Sequence, residues 1–202
     1  MLQPKLPAKL EQQRFIPTDD GFVQDVHLIN EVIPTSTHLQ EFHRVRFTNV
    51  RFEDSAYYFS DCVFENCDLA NATLRDAGLL RCSFVTSRLT GINLSEATLK
   101  HVHFKDCHMH YASFAFSKLQ STNFTDCLLR DTDFAETICK DVNFIACELT
   151  GANFSKTPLA GVDLHQSQFE QLTLEIDNLR GCTVNEQQAQ QFLQLLQLHI
   201  KN

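Results

Sequence analysis

From Phe59 to Val184 a large apolar residue stands at every fifth position, 26 times without an insertion, and 13 of these are Leu and 10 are Phe. Two residues before each stands a second register, small in 22 of the 26 cases, with Tyr57, Ile92, Leu172 and Asp177 as the exceptions. A period of five fits neither the 3.6 residues of a helical turn nor the two-residue alternation of a strand. It requires an internal repeat whose unit is five residues long.

Segments such as Cys67-Asp68-Leu69-Ala70-Asn71, Ala152-Asn153-Phe154-Ser155-Lys156 and Val162-Asp163-Leu164-His165-Gln166 resemble the pentapeptide-repeat family, whose pattern is A(D/N)LXX. The resemblance implies an all-β fold, a right-handed quadrilateral β-helix with four pentapeptides per square coil. Positions 20 apart then stack, and the sequence agrees. Phe64, Phe84, Phe104, Phe124 and Phe144 form one column, and Leu69, Leu89, Met109, Leu129 and Leu149 another. Four five-residue sides turn the 26 repeats into 6.5 coils, a body about 31 Å long at the usual strand spacing of about 4.8 Å.

Three segments follow from this period. Residues 41–184 are the repeat body, which Phe42, Phe47 and Phe52 begin before a seven-residue step to Phe59. That step reads as two extra residues around Asp54–Tyr58. Residues 1–40, rich in Pro, read as an irregular N-terminal cap, with Val26, Leu28, Asn30 and Val32 as a weak strand signal. Residues 185–202 read as a short C-terminal α-helix, opened by Thr183-x-x-Glu186 as a capping box with Asn185 as a competing N-cap. Ala189, Phe192, Leu193, Leu196 and Ile200 fall on one stripe, which can cover the open coil. Leu195 and Leu198 lie off it and suggest a second surface. Phe192, Leu193, Leu195, Leu196, Leu198 and Ile200 are therefore the candidate dimer interface of a homodimer. A monomer whose helix only caps the coil is the alternative.

Seven of the eight cysteines, from Cys62 to Cys182, fall in the small inward register, and Cys139 falls in the large one. They read as reduced core thiols rather than a disulfide framework. No apolar run is long enough to span a bilayer, and the expected location is cytoplasmic, without membrane attachment. The histidines His101, His103, His108 and His110 flank Cys107, but the repeat spreads them over different faces and corners, so no metal site is expected. No phosphate loop, triad or paired-carboxylate site stands out. We expect no catalytic residues, no enzyme activity and no cofactor.

The charge is the better clue. The chain carries a net −8, which disfavours direct nucleic-acid binding. Asp106, Asp126, Asp131, Asp133, Glu136 and Asp141 cluster within 36 residues against Lys118, Arg130 and Lys140. They are either the charged corners any soluble β-helix needs or the surface of an acidic rod that imitates duplex DNA. The resemblance extends to the Qnr-type branch of the family, through the tail Asn178-Leu179-Arg180-Gly181-Cys182-Thr183-Val184 and its Gln/Leu-rich helix. That branch implies a dimeric DNA mimic that binds type II topoisomerases, DNA gyrase and topoisomerase IV, and protects them from quinolones or toxins. Two such bodies end to end would span about 60–70 Å, roughly 20 base pairs. Unlike many Qnr-type members, this chain has no loop insertion between Phe59 and Val184. A non-catalytic interaction scaffold unrelated to gyrase is the alternative.

Overall fold

Within each five-residue unit the chain runs small-in, out, large-in, out, and then turns a corner. The corner is where ordinary strand alternation is reset, and it needs a left-handed backbone. A computed structural model carries this out with few departures; it describes residues 1–36, 38–54 and 56–195, the last two as backbone only. Every fifth residue from Asp61 to Gly161 has a positive φ, between 49° and 80°. Most L-residues avoid this region, and Asn, Asp and Gly enter it most readily. Corner N–H groups donate to the coil above, as from Asp106 to the Thr125 carbonyl (3.0 Å) and from Asp126 to the Ile145 carbonyl (2.9 Å).

Successive coils pair in parallel at an offset of 20, as in Phe64↔Phe84↔Phe104↔Phe124↔Phe144 and Leu79↔Leu99↔Leu119↔Cys139. The result is an all-β solenoid with about six regular turns, four-sided, and with one short α-helix among the described residues. Its interior is solid. Phe104, Phe124 and Phe144 stack at 5.0 Å between centroids, and Phe114, Phe134 and Phe154 do so at 5.0 and 4.9 Å. The two columns meet edge to face at 5.5–6.1 Å. Offset stacking along the axis and edge contacts across it are both favoured arrangements for aromatic quadrupoles.

The small register has a polar task as well as a steric one. Thr132, Thr137 and Ser167 donate to the carbonyls of Met109, Phe114 and Phe144 at 2.8–3.1 Å. Cys82, Cys107 and Cys127 make the equivalent contact to Phe59, Phe84 and Phe104. Each donor reaches the same relative acceptor, 23 residues back, so Ser, Thr and Cys interchange there. All eight cysteines are free. Burial pushes the thiols of Cys67 and Cys139 up to about 12 and that of Cys182 up to about 11.

The N-terminal part differs from the sequence-based expectation in two ways. Strands at Phe22–Gln24, Val26–Ile29 and Val32–Ile33 pair with the coil above, so residues 22–33 extend the solenoid. They escape the five-residue ladder because the offsets here are 19 (Val23↔Phe42, Leu28↔Phe47) and then 17 (Phe42↔Phe59, Phe47↔Phe64). The seven-residue step before Phe59 thus belongs to a coil three residues short, not one with two extra. The corner at Asn30 (φ 57°) also shifts the phase, so Ile33 is buried and Val32 is exposed, contrary to simple alternation.

At the other end, Pro158 lacks the N–H through which Thr98, Lys118 and Ile138 each donate down the same column, and the strand ladder on that side stops at Ile138–Ile145. The helix Glu186–Leu195 closes the last coil. Its N-cap is Asn185 rather than Thr183. Asn185 Oδ1 accepts from the Gln188 N–H and Gln188 Oε1 accepts from the Asn185 N–H, both at 2.9 Å, a reciprocal capping box shifted by two residues. The Gln188 amide then donates to the open carbonyls of Leu164 and Ser167, both at 2.8 Å. Among the described residues no helix is long and apolar enough to cross a membrane.

Candidate interaction surface

The period places each carboxylate of the acidic cluster. Asp126, Asp131, Glu136 and Asp141 occupy four successive corners of one coil, with φ of 53–54°. Asp106 is the corner one coil below Asp126, as the 20-residue register of the neighbouring strands requires. These five are exposed. Asp133 lies mid-face and half-buried, its Oδ1 accepting from the Ala135 N–H (3.0 Å) and the Asn153 amide (2.9 Å). The structure therefore brings Asp106 and Asp126 together, and Asp131, Asp133 and Glu136 together on the next two corners and the side between them. It does not line all six along one side.

What distinguishes this region is the company these charges keep. Earlier in the chain, five carboxylates are matched by arginines one coil away. Arg44 pairs with Asp25 (2.6 Å), Arg46 with Glu65 (2.7 Å), Arg81 with Asp61 (2.6 Å), Arg88 with Asp68 (2.5 Å), and Arg75 with Glu96. The hydrogen bonds from Arg44 and Arg88 lower the pKa of Asp25 and Asp68. For Asp61 burial acts upward, but Arg81, the Lys5 N–H and Ser60 outweigh it and the net shift is downward. In the acidic cluster only Glu136 is paired, to Lys156 at 2.9 Å. Asp106, Asp126, Asp131, Asp133 and Asp141 form no ion pair among the described residues.

The reason is positional. The Arg and Lys pairs that join one coil to the next bring together opposite charges 19 to 21 residues apart. Asp126 has Asp106 below and Ala146 above, Asp131 has Tyr111 and Gly151, and Asp141 has Ser121 and Gly161. Gly151 itself makes room for Asp131, since a Cβ there would overlap Asp131 Oδ1.

The candidate dimer residues divide. Phe192 is buried within its own chain against Phe169, at 5.5 Å between centroids, so it serves the end cap. Leu193 is half-buried and shares a small apolar hollow with Ile176, Leu179, Cys182 and Val184. The side chain of Leu195, and Leu196, Leu198 and Ile200 entirely, lie outside the described residues. His103 bonds Thr125 (3.2 Å), while His101 sits at a corner and His108 is exposed. No group of three or more His, Cys, Asp or Glu is placed to hold a metal among the described residues. Two features escaped sequence reasoning, the latch made by Gln188 and the exposed corner aromatics Tyr111 and Phe116. The latter were legible, since both stand two places after a column residue, where side chains leave the rod.

Comparison with known proteins places these features. A family model described as a pentapeptide repeat region matches residues 57–134, and one described as pentapeptide repeats (8 copies) matches residues 127–170. The uncharacterized protein YisX of Bacillus subtilis (strain 168) is 55% identical over 116 residues, which are 57% of this chain and 55% of that protein. The chain thus spans about half the length of that curated relative. Among solved structures, a trypsin-treated variant of QnrB1, a plasmid-mediated fluoroquinolone resistance protein, is 16% identical over 96% of this chain and 100% of its own, with a TM-score of 0.39. HetL, involved in heterocyst differentiation regulation in the cyanobacterium Nostoc sp. strain PCC 7120, is 16% identical over 81% of this chain and 83% of its own, with a TM-score of 0.32.

Proposed function

The chain belongs to the pentapeptide-repeat family, and from that premise we propose that it is a non-catalytic binding protein whose acidic rod occupies the basic DNA-binding surface of a type II topoisomerase. DNA gyrase or topoisomerase IV would be the partner, the rod would act as a DNA mimic, and the outcome would be relief from a quinolone or a gyrase-directed toxin. The observation that carries this reading is the set of exposed carboxylates Asp106, Asp126, Asp131 and Asp141, which form no ion pair among the described residues. With six acids against Lys118, Arg130 and Lys140, the stretch 106–141 holds about one net negative charge per 3 Å of axis at 4.8 Å per coil. Duplex DNA holds one per about 1.7 Å. The local density is roughly half that of DNA, enough to attract a basic saddle.

A second reading has its own support. Asp126, Asp131, Glu136 and Asp141 face four directions, and the whole rod, with 16 acids against 10 bases over residues 57–184, averages only about one net charge per 5 Å. That distribution suits a scaffold that presents different sides to different partners. The two separate in a supercoiling assay with purified gyrase and a quinolone, titrating in the protein. Restored supercoiling, lost in the Asp126→Lys/Asp131→Lys variant, supports the mimic. Neither protection nor competition with DNA leaves the scaffold.

An end-to-end homodimer is proposed through the apolar hollow around Leu179 and Leu193. Phe192→Asp is a poor test, because Phe192 also closes the coil. Leu193→Asp with sedimentation equilibrium is the cleaner one, with monomers the expected result.

A further inference from the structure

Two corners carry residues that neither the core nor the turn requires. Tyr111 and Phe116 stand at successive corners with φ of 59° and 61°, a region that bulky side chains seldom occupy. They are 66% and 55% exposed, and Phe116 is the most exposed of the 17 phenylalanines. Single exposed apolar residues are common on any surface. These two, however, bound the same side of the same coil, with Ser113 and Ala115 as the floor between them. Directly above, the register Ser113↔Asp133 brings Asp131 over Tyr111, Asp133 over the floor and Glu136 over Phe116. Two aromatic rings thus border a row of three carboxylates, of which Asp131 and Asp133 have no ion-pair partner among the described residues.

We propose that this side of the rod binds an arginine-bearing segment of a partner protein. A guanidinium is planar, stacks on aromatic rings, and offers paired donors to a carboxylate. The surface supplies both halves of that recognition on adjacent coils. A plain ammonium would gain the charge term and less of the stacking. Apolar partners would leave the three carboxylates desolvated beside them. Of the nearest cations, Lys156 is held by Glu136, and Arg130 stands on the adjoining side, where it lines a hollow with His110, Tyr111 and Glu148 and forms no ion pair among the described residues. Such a surface would serve any arginine-bearing partner, so loss of gyrase protection alone leaves it untouched.

The test uses the full chain and fluorescein-labelled nona-arginine and nona-lysine, read by fluorescence anisotropy. Wild type should bind nona-arginine more tightly than nona-lysine. The Tyr111→Asn/Phe116→Asn variant should lose about tenfold in affinity for nona-arginine, the combined effect of two exposed cation–π contacts, and less for nona-lysine. Asn already occupies such corners at Asn66 and Asn71, so the double variant should fold, and its circular-dichroism melt checks this. Asp131→Asn/Asp133→Asn should weaken both peptides together. Unchanged nona-arginine affinity in the ring variant, or equal affinity of wild type for the two peptides, overturns the proposal. So does sedimentation in which the ring variant alone turns a wild-type dimer into a monomer, because the rings would then be a contact between copies.

Discussion

Asp25 and Asp61 in the early coils and Asp106, Asp126, Asp131 and Asp141 later in the chain all sit at left-handed corners, yet they do different things. Asp25, Asp61 and Asp68 each have an arginine 19 or 20 residues later, within 2.7 Å, so their charge is spent holding one coil to the next. Asp106, Asp126, Asp131 and Asp141 have neutral or like-charged residues at that offset, so their charge reaches solvent and whatever docks there. In a solenoid with a fixed coil length, the residue 20 places away decides whether a charge is structural or available. That teaches more than the total of −8, which counts both kinds alike.

Both regions rest on the aromatic interior, so the largest effect should come from breaking that. Phe124→Ala removes a ring stacked on Phe104 and Phe144 and edge-on to Phe114 and Phe134. A loss of about 3–5 kcal/mol is expected, measured by denaturant unfolding, and it should weaken the paired and unpaired regions together.

Breaking a structural charge should cost less and act on one region. Asp61→Ala leaves Arg81 without its two 2.6 Å bonds and frees the Lys5 N–H, for an expected loss of about 2 kcal/mol. Asp126→Ala should stay within about 0.5 kcal/mol. The same contrast has a pH signature. Asp25, Asp61 and Asp68 have folded pKa values below the ordinary 3.8. Their contribution is therefore complete above that value and is lost as the pH falls through the lowered values. Amide exchange in coils 22–68 should accelerate in that acid window for wild type, and Asp61→Ala should show less of the change.

The cap should respond on a similar scale. Gln188→Glu keeps the acceptor for the Asn185 N–H but removes the amide donors to Leu164 and Ser167. It places a carboxylate against two carbonyls, and a loss of about 1–3 kcal/mol is expected, read as earlier melting of the helix end.

The regular part of this architecture was legible because a five-residue period with like residues at 20 admits few folds. The corner positions of Asp126, Asp131, Glu136 and Asp141 followed from the same arithmetic. Their function did not follow, since a left-handed corner favours Asp and Asn whether or not anything binds there. The early coils were hidden because offsets of 19 and 17 erase the ladder, although Val23, Leu28 and Ile33 are five apart. Gln188 was hidden because its value depends on two carbonyls more than 20 residues away, and no local pattern records them.

The smallest expected effect tests the offset rule most directly. Asp106→Arg puts a cation one coil below Asp126, converting an available charge into a structural one. Arg44 and Arg81 already occupy corners with φ of 54° and 51°, so the backbone accepts the side chain. Asp141→Arg makes the same charge change and suffers the same corner cost, but its column neighbours are Ser121 and Gly161. If the offset governs, Asp106→Arg should be the more stable of the two by about 0.3–1 kcal/mol, the range of an exposed ion pair, and the gap should shrink in high salt. Replacing Asp126 by Asn in both backgrounds should remove the difference. Equal stabilities at low salt would mean that only the net charge matters. The division between structural and available carboxylates would then have no energetic basis.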